Sequence, residues 1–417
     1  MARERAFAAM LRDALVVAAI AVVVVQVLRR WCGDRYVVPS DSMQPMLHGD
    51  EVDGDVVFVD KLASAAACRR HDLVVVEHPD KRGGQLVKRI AARGDDVEGG
   101  TWIDLRDGDV WLGDPDRLQR ECKDPIEAAR MQVPWAALPA DAVLGGHLQM
   151  DAARRDGDEW ILPPVARVAD EARAAFAPAA DAERRRSGHV VPSGFVGTNR
   201  SVDASYVEVT GVRGGGGRDV GVRDCGMTVE LAAPADLLCT IDARGCALTF
   251  FLRLASGDVQ LWCNGENVAT TSFAWRPTAL CRVEFAFLDD RAYCLVDDRR
   301  DAMFVVPRSA SWTQDHEPGP AGPRTWLHVG VVGELPAHVR GLRVFRDVFV
   351  WRERIAGLPD APGQWPRSVP PGTWFLLGDN PFDSRDSRHF GPRAVSTFLG
   401  RPRFVLGPWP RGRWLDP

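Results

Sequence analysis

Hydrophobic and polar positions follow three patterns along the chain. Residues 14–28 form an almost continuous apolar run, interrupted by Gln26 and bounded by Arg12-Asp13 and Arg29-Arg30. As a helix this run reaches about 22 Å, short of a ~30 Å hydrocarbon core, a gap that flanking arginines bridge by snorkelling. The run leads into Arg-Arg-Trp-Cys and not into a small-residue cleavage pattern, so it predicts a retained N-terminal membrane anchor over residues 1–30. Arg3, Arg5 and Arg12 on one side balance Arg29, Arg30 and Arg35 on the other, so charge does not orient it.

Beyond the anchor, short β-branched runs alternate with turn residues. Val56–Val59, Leu73–Val76 and Leu86–Ile90, separated by Gly-Asp turns, predict an antiparallel β domain over residues 31–112. The chain resumes this character at 365–417, where Trp374–Leu377 enters the polar loop Gly378–Arg388. Between them, 113–364 reads as an inserted domain. Its first part, 113–189, holds the Ala-, Arg- and Asp-rich stretches Ala128–Ala142 and Val165–Arg186, which read as helix or irregular connection. From 190 to 355 the pattern is strands. Ala247–Leu254 and Val259–Cys263 flank a Ser-Gly-Asp turn, and Cys281–Leu288 and Ala292–Val296 flank Asp289-Asp290. Leu342–Trp351 is a further strand. So many strands at this spacing predict a β-sandwich, and the pattern resembles concanavalin/laminin-G-type lectin folds. The fold class expected for the whole chain is mainly β.

Composition narrows the function. A net charge of −5 over 417 residues disfavours an electrostatic nucleic-acid binder. The nine cysteines include no C-x-x-C pair, which speaks against a zinc or dithiol redox site and leaves disulfide pairing open. Gly214–Gly217 lacks the Lys-Ser/Thr that completes a phosphate loop. The pairs Asp289-Asp290 and Asp297-Asp298 sit at hairpin tips, where solvation accounts for acidic residues, and EF-hand spacing is missing. Trp262, Trp275, Trp312 and Trp326 read as core side chains more readily than as sugar platforms. Any ligand of the sandwich is left unidentified.

Chemistry concentrates outside the insert. Ser40 and Ser42 lie between Pro39 and Pro45 in a stiff stretch that predicts an extended ribbon with both hydroxyls on one side. In the strand Gln85–Ile90, alternation places Lys88 between Leu86 and Ile90 on the buried face, where desolvation favours the neutral amine. Arg89, on the other face, reads as a solvated or ion-paired surface arginine. The loop after Leu377 carries Asp379, Asn380, Asp383, Ser384, Asp386, Ser387 and Arg388.

Three ordered blocks behind an anchor resemble the type I signal peptidases, membrane-bound serine proteases with a Ser–Lys dyad. Pro39–Leu47 is similar to their nucleophile box, Lys88-Arg89 with Gly94-Asp95 to their lysine box, and Gly378-Asp379-Asn380 with Ser384–Arg388 to their closing box. The insert resembles those in signal peptidases of planctomycete-type bacteria. The chain departs from the family at Met46 (usually Thr), Pro381 (usually Arg) and Arg385 (usually a small residue). The resemblance implies Ser42 as nucleophile, Lys88 as general base, Ser40 as an oxyanion donor and Ser384 as the residue that orients the lysine. It implies Asp386 and Arg388 as a supporting ion pair and Met43 as part of the substrate cleft and of the surface touching the bilayer. It also implies no metal or organic cofactor, signal peptides of secretory preproteins as substrates, membrane lipid as a partner, and a single-pass protein with its catalytic part outside the cytoplasm. The competing readings are another Ser–Lys protease and an anchored lectin-like binding protein on an inactive protease scaffold.

Overall fold

The computed structural model describes residues 15–17, 19–24, 26, 29, 32–106, 108–128, 131–138, 148–151, 154–157, 159–162, 164–165, 194–197, 224–243, 246–263, 266–274, 280–309, 326–332, 335–348, 350, 352, 365–380 and 384–415. Strands dominate, as the short β-branched runs predict. The chain forms two compact units. Unit 1 takes Met1–Arg106, Val110–Gln119 and Trp351–Pro417; unit 2 takes Asp107–Asp109 and Arg120–Val350. The first crossing comes at Asp107, six residues before the expected boundary, because the sheet of unit 1 continues through 110–119 after one brief excursion.

In unit 1, an antiparallel sheet runs in the order β1 (Gly33–Val37), β2 (Val56–Asp60), β11 (Phe398–Gly407), β3 (Leu73–Glu77), β4 (Gln85–Arg93), β9 (Thr373–Leu377), β10 (Arg393–Ala394). Strand β12 (Arg413–Trp414) pairs with β11. A second sheet orders β8 (Arg367–Val369), β5 (Thr101–Arg106), β6 (Asp109–Asp114) and β7 (Arg117–Arg120). The closing segment therefore completes the sheet begun by the opening one. Strand β3 shows why: Leu73 and Val75 join Val57, Val59, Met43 and Leu47 in one core, whereas Val74 and Val76 join Ile90, Trp374 and Leu376 in another. A strand buried on both faces reads as an unbroken apolar run.

Among the described residues, unit 2 forms two eight-stranded sheets. One is centred on Ala337–Arg346, Cys225–Leu231 and Cys281–Leu288, the other on Cys246–Arg253, Asp236–Ala243 and Trp326–Val332. Phe250 of one sheet meets Phe285 of the other at 6.4 Å between ring centroids, and both are fully buried, which makes the pair a sandwich. Its first part departs from expectation. Val133–Leu138, inside the Ala-rich stretch read as helix or connection, is a strand on Ala337–Arg346, and Leu148–Asp151 and Glu159–Leu162 also join the sheets. Helix propensity is a small per-residue preference, and pairing with a sheet edge overrides it. Most of Val165–Arg186, together with Gly214–Gly217, Trp275 and Trp312, lies outside the described residues. Eight of the nine cysteines, Cys32, Cys68, Cys122, Cys225, Cys239, Cys263, Cys281 and Cys294, are free thiols.

The described N-terminal residues 15–17 and 19–24 are helical, and Leu15, Val16, Val17, Ile20, Val22, Val23 and Val24 are all exposed. Among the described residues no helix is long and apolar enough to cross a membrane. Apart from Gln26 and Arg29, the rest of the expected anchor lies outside them.

Candidate active site

Ser42 does not sit on an extended ribbon. Ser40 is extended, with φ −146° and ψ 154°, but Asp41–Met43 close into a single 3₁₀ turn. The Gln44 N–H donates to the Asp41 carbonyl at 3.0 Å, and the Gln44 side-chain amide donates to the Asp41 carboxylate. An Asp that can bond its own turn competes successfully with extended backbone, and this outweighs the flanking prolines. The turn still brings the two hydroxyls together, with Ser40 Oγ donating to Ser42 Oγ at a long 3.4 Å. Ser40 is exposed and Ser42 buried. Met43 points the other way. It is 1% exposed and packs with Val38, Leu47 and Val57, so its side chain supports the turn from beneath and offers no surface to substrate or lipid.

Lys88 lies where alternation along β4 puts it. The register sets it opposite Val74 of β3, it is 2% exposed, and its Nζ donates to Ser42 Oγ at 2.7 Å. Two residues 46 positions apart in sequence are thus in direct hydrogen-bond contact inside unit 1. Arg89 departs from expectation: it is buried, not at the surface. Its Nε and NH2 grip the Asp379 carboxylate at 2.7 and 2.6 Å, and NH1 donates to the His71 carbonyl. The register explains the pairing. Leu377 of β9 sits opposite Arg89, so the chain leaving β9 carries Asp379 back over the guanidinium. A forked, doubly bonded Arg–carboxylate pair is the form in which such charges are buried.

The loop after β9 closes the site. The Asn380 N–H donates to the Ser42 carbonyl at 3.1 Å, and the Asn380 side-chain amide donates to the Asp41 carbonyl at 3.2 Å. Gly378 packs so tightly that a Cβ there would stand 2.4 Å from the Ser42 carbonyl oxygen and 2.2 Å from Ser384 Oγ. Ser384 is fully buried in this contact, but its Oγ has no hydrogen-bond partner among the described residues, so the expected bond to Lys88 is not formed. The Ser384 hydroxyl thus packs against Gly378 and is not bonded to Lys88.

Asp386 and Arg388 are both completely buried and doubly bonded, at 2.9 Å through Nε and 2.9 Å through NH2. Asp386 also accepts the Gly378 N–H and caps the one-turn helix Ser387–Phe390. Burial pushes its carboxyl up, but the Arg388 guanidinium and its hydrogen bonds, the nearby Lys88 charge and the Gly378 N–H outweigh that and hold it below the usual carboxylate range. The Ser387 hydroxyl accepts from the Leu376 N–H at 2.9 Å. Of the family departures, Arg385 is an exposed partner of Asp80, Met46 gives its carbonyl to Arg413, and Pro381 lies outside the described residues, as does the loop residue Asp383.

Unit 2 holds a second concentration of charge. Asp109, Asp224, Asp289 and Asp347 are buried, each with a carboxylate oxygen within 4.8 Å of the others. Among the described residues they are the set whose geometry could hold a metal ion. The chain's own cations already lie against them: Arg120 bridges Asp109 and Asp224 at 2.7 Å each, and Lys123 bridges Asp289 at 3.0 Å and Asp347 at 2.7 Å. Asp289, expected to be a solvated hairpin tip, is 1% exposed; ion pairing with Lys123 draws it inward. Burial, reinforced by Asp289 and Asp347, pushes the Asp109 carboxyl up to about 6 against the pull of Arg120 and Lys123. Burial and the Asp109 charge also push the Asp224 carboxyl well above its ordinary value.

Residues 11–112 and 352–409 match the family model described as signal peptidase, peptidase S26, which supports a signal peptidase family for the segments that build unit 1. No curated protein matches the chain. Among solved structures, the chain is similar to the exoplasmic/lumenal domain of VIP36 in a Ca2+/Man3GlcNAc-bound form, at 10% identity over 55% of this chain and 91% of that one, TM-score 0.28. It is also similar to galectin LEC-6 of Caenorhabditis elegans, at 14% identity over 30% of this chain and 83% of that one, TM-score 0.21. A third is a GH43 protein of Bacillus licheniformis, at 8% identity over 72% of this chain and 52% of that one, TM-score 0.24.

Proposed function

We propose that this chain is a signal peptidase that cleaves secretory preproteins with Ser42 as nucleophile and Lys88 as general base. The observation that carries the proposal is the 2.7 Å contact between a buried lysine Nζ and a buried serine Oγ, within segments that match a signal peptidase family. A serine hydroxyl is a weak nucleophile until a base takes its proton, and a Ser–Lys pair is one solution. With the amine neutral, the Ser42 proton passes along the same contact to Nζ as Oγ attacks the scissile carbonyl. Lys88 then delivers that proton to the departing amine, and a water repeats the cycle on the acyl-enzyme. Ser40 Oγ, exposed beside Ser42, and the Ser42 backbone N–H are the donors available to the oxyanion. Asp386 and Arg388 hold the closing loop.

Substrates on this proposal are extended signal-peptide ends with small residues at P3 and P1. Membrane anchoring is supported by the seven exposed aliphatic side chains of residues 15–24, and the placement of unit 1 outside the cytoplasm follows from the family resemblance alone. Trp409 and Trp414, 92% and 73% exposed on the same unit, are of the type found at the headgroup level. The test is cleavage of a preprotein by purified protein in detergent. Wild type cuts after small P1 residues, and Ser42→Ala and Lys88→Ala each abolish the cut; full activity in either variant would overturn the assignment.

A further inference from the structure

Asn380 touches the nucleophile turn at two places, and one of them bears on the oxyanion donor. Its Nδ2 donates to the Asp41 carbonyl at 3.2 Å. That carbonyl accepts and cannot donate, so the amide nitrogen must face it. The Asp41 carbonyl and the Ser42 N–H belong to one planar peptide and point in opposite directions. A donor held on the oxygen therefore sets the direction of the N–H across the plane, and by polarising the carbonyl it strengthens that N–H as a donor. The Asn380 backbone N–H meanwhile holds the Ser42 carbonyl at 3.1 Å, which pins the next peptide plane.

The side-chain bond contributes little that stability requires. The Asp41 carbonyl already accepts the Gln44 N–H at 3.0 Å, so it stays paired without Asn380. Asn380 is itself 5% exposed, and its Oδ1 is buried with no hydrogen-bond partner among the described residues. An unsatisfied buried acceptor is unfavourable, and an apolar residue of the same shape would remove it. A side chain that carries this cost to place one donor on one carbonyl is better explained by the site than by the fold.

We infer that Asn380 is a positioning residue for the oxyanion hole, aligning and polarising the Ser42 N–H through the Asp41 carbonyl. The inference rests on the proteolytic function proposed for Ser42 and Lys88. Full-length protein in detergent is compared as wild type, Asn380→Leu, which keeps the side-chain shape, and Asn380→Ala. Preprotein cleavage gives kcat and KM, thermal unfolding gives Tm, and a substrate-like peptide aldehyde, whose hemiacetal with Ser42 places an oxygen in the hole, gives Ki. The expected result is a kcat about 10- to 100-fold lower in both variants, less than the ~10²–10³ lost with a direct donor. KM stays within about twofold, Tm does not fall in the leucine variant, and aldehyde binding weakens by the same factor as kcat. A wild-type kcat in the leucine variant overturns the inference. So does a kcat loss with unchanged aldehyde affinity or with a parallel fall in Tm, which marks a structural role. If wild-type protein neither cleaves nor binds the aldehyde, the proteolytic function itself fails.

Discussion

At the residue scale, the site depends on two close approaches. Gly378 leaves no room for a methyl group between the Ser42 carbonyl and Ser384 Oγ, and the obstruction on one side is backbone. Gly378→Ala is expected to push the closing loop off the nucleophile turn and to lower kcat by roughly 10²-fold or more, measured on the same preprotein. Arg89 and Asp379 make the second approach. Removing one partner of a buried, doubly bonded ion pair leaves the other charged and dry, so Arg89→Met is expected to destabilise unit 1 by about 3–5 kcal/mol in urea unfolding. The double variant Arg89→Met/Asp379→Leu should recover much of that loss, because it removes both charges. Recovery of stability without recovery of cleavage would separate the two roles of the pair.

At the element scale, strands β4 and β9 organise the candidate catalytic residues. Strand β4 carries Lys88 and Arg89 on opposite faces, so one strand supplies the base to one side and an anchor for the closing loop to the other. Alternation made Lys88 legible, because Leu86 and Ile90 flank it at the same parity. The burial of Arg89 was not legible, since its partner arrives 290 positions later and only the β4–β9 register brings it there. In unit 2 the equivalent element is Cys281–Leu288, whose Phe285 meets Phe250 across the sandwich. Phe285→Ala is expected to cost about 3–5 kcal/mol through cavity formation. The loss should appear in the unfolding transition of unit 2 and leave reaction of Ser42 with the peptide aldehyde intact.

At the scale of the whole molecule, the two units carry opposite pH signatures. In unit 1, Asp386 is held below its ordinary value, so its contribution to stability is present above pH ~4 and is lost as pH falls through the folded-state value. In unit 2, Asp109 is raised to about 6. Between about pH 4 and 6 the unfolded carboxyl has released its proton while the folded one keeps it, so the folded state binds more protons and stability declines as pH rises. At roughly 1.4 kcal/mol per pH unit, unit 2 should lose a few kcal/mol across that window, and Asp109→Asn should flatten the slope. Calorimetry from about pH 4 to 7 checks this: the transition of unit 2 should move to lower temperature as pH rises. A transition that rises in parallel with that of unit 1 would contradict the assignment.

Local physics was enough to determine the mainly β class and the interruption of one β unit by another; the candidate Ser–Lys pair came from the resemblance of three short ordered blocks to a family. β-branched runs, turn residues and a period of two act over a few residues and survive whatever the chain does elsewhere. Alternation along Gln85–Ile90 added the buried face of Lys88 to what that resemblance implied. The tertiary structure alone decided the rest. It buried Met43 and Arg89 and left Ser384 without a bond to Lys88. It also drew Asp289 inward beside Lys123 and made a strand of Val133–Leu138. Each of these outcomes depends on a partner far away in sequence, and pairing of that kind enters the energy only once the register between strands is set.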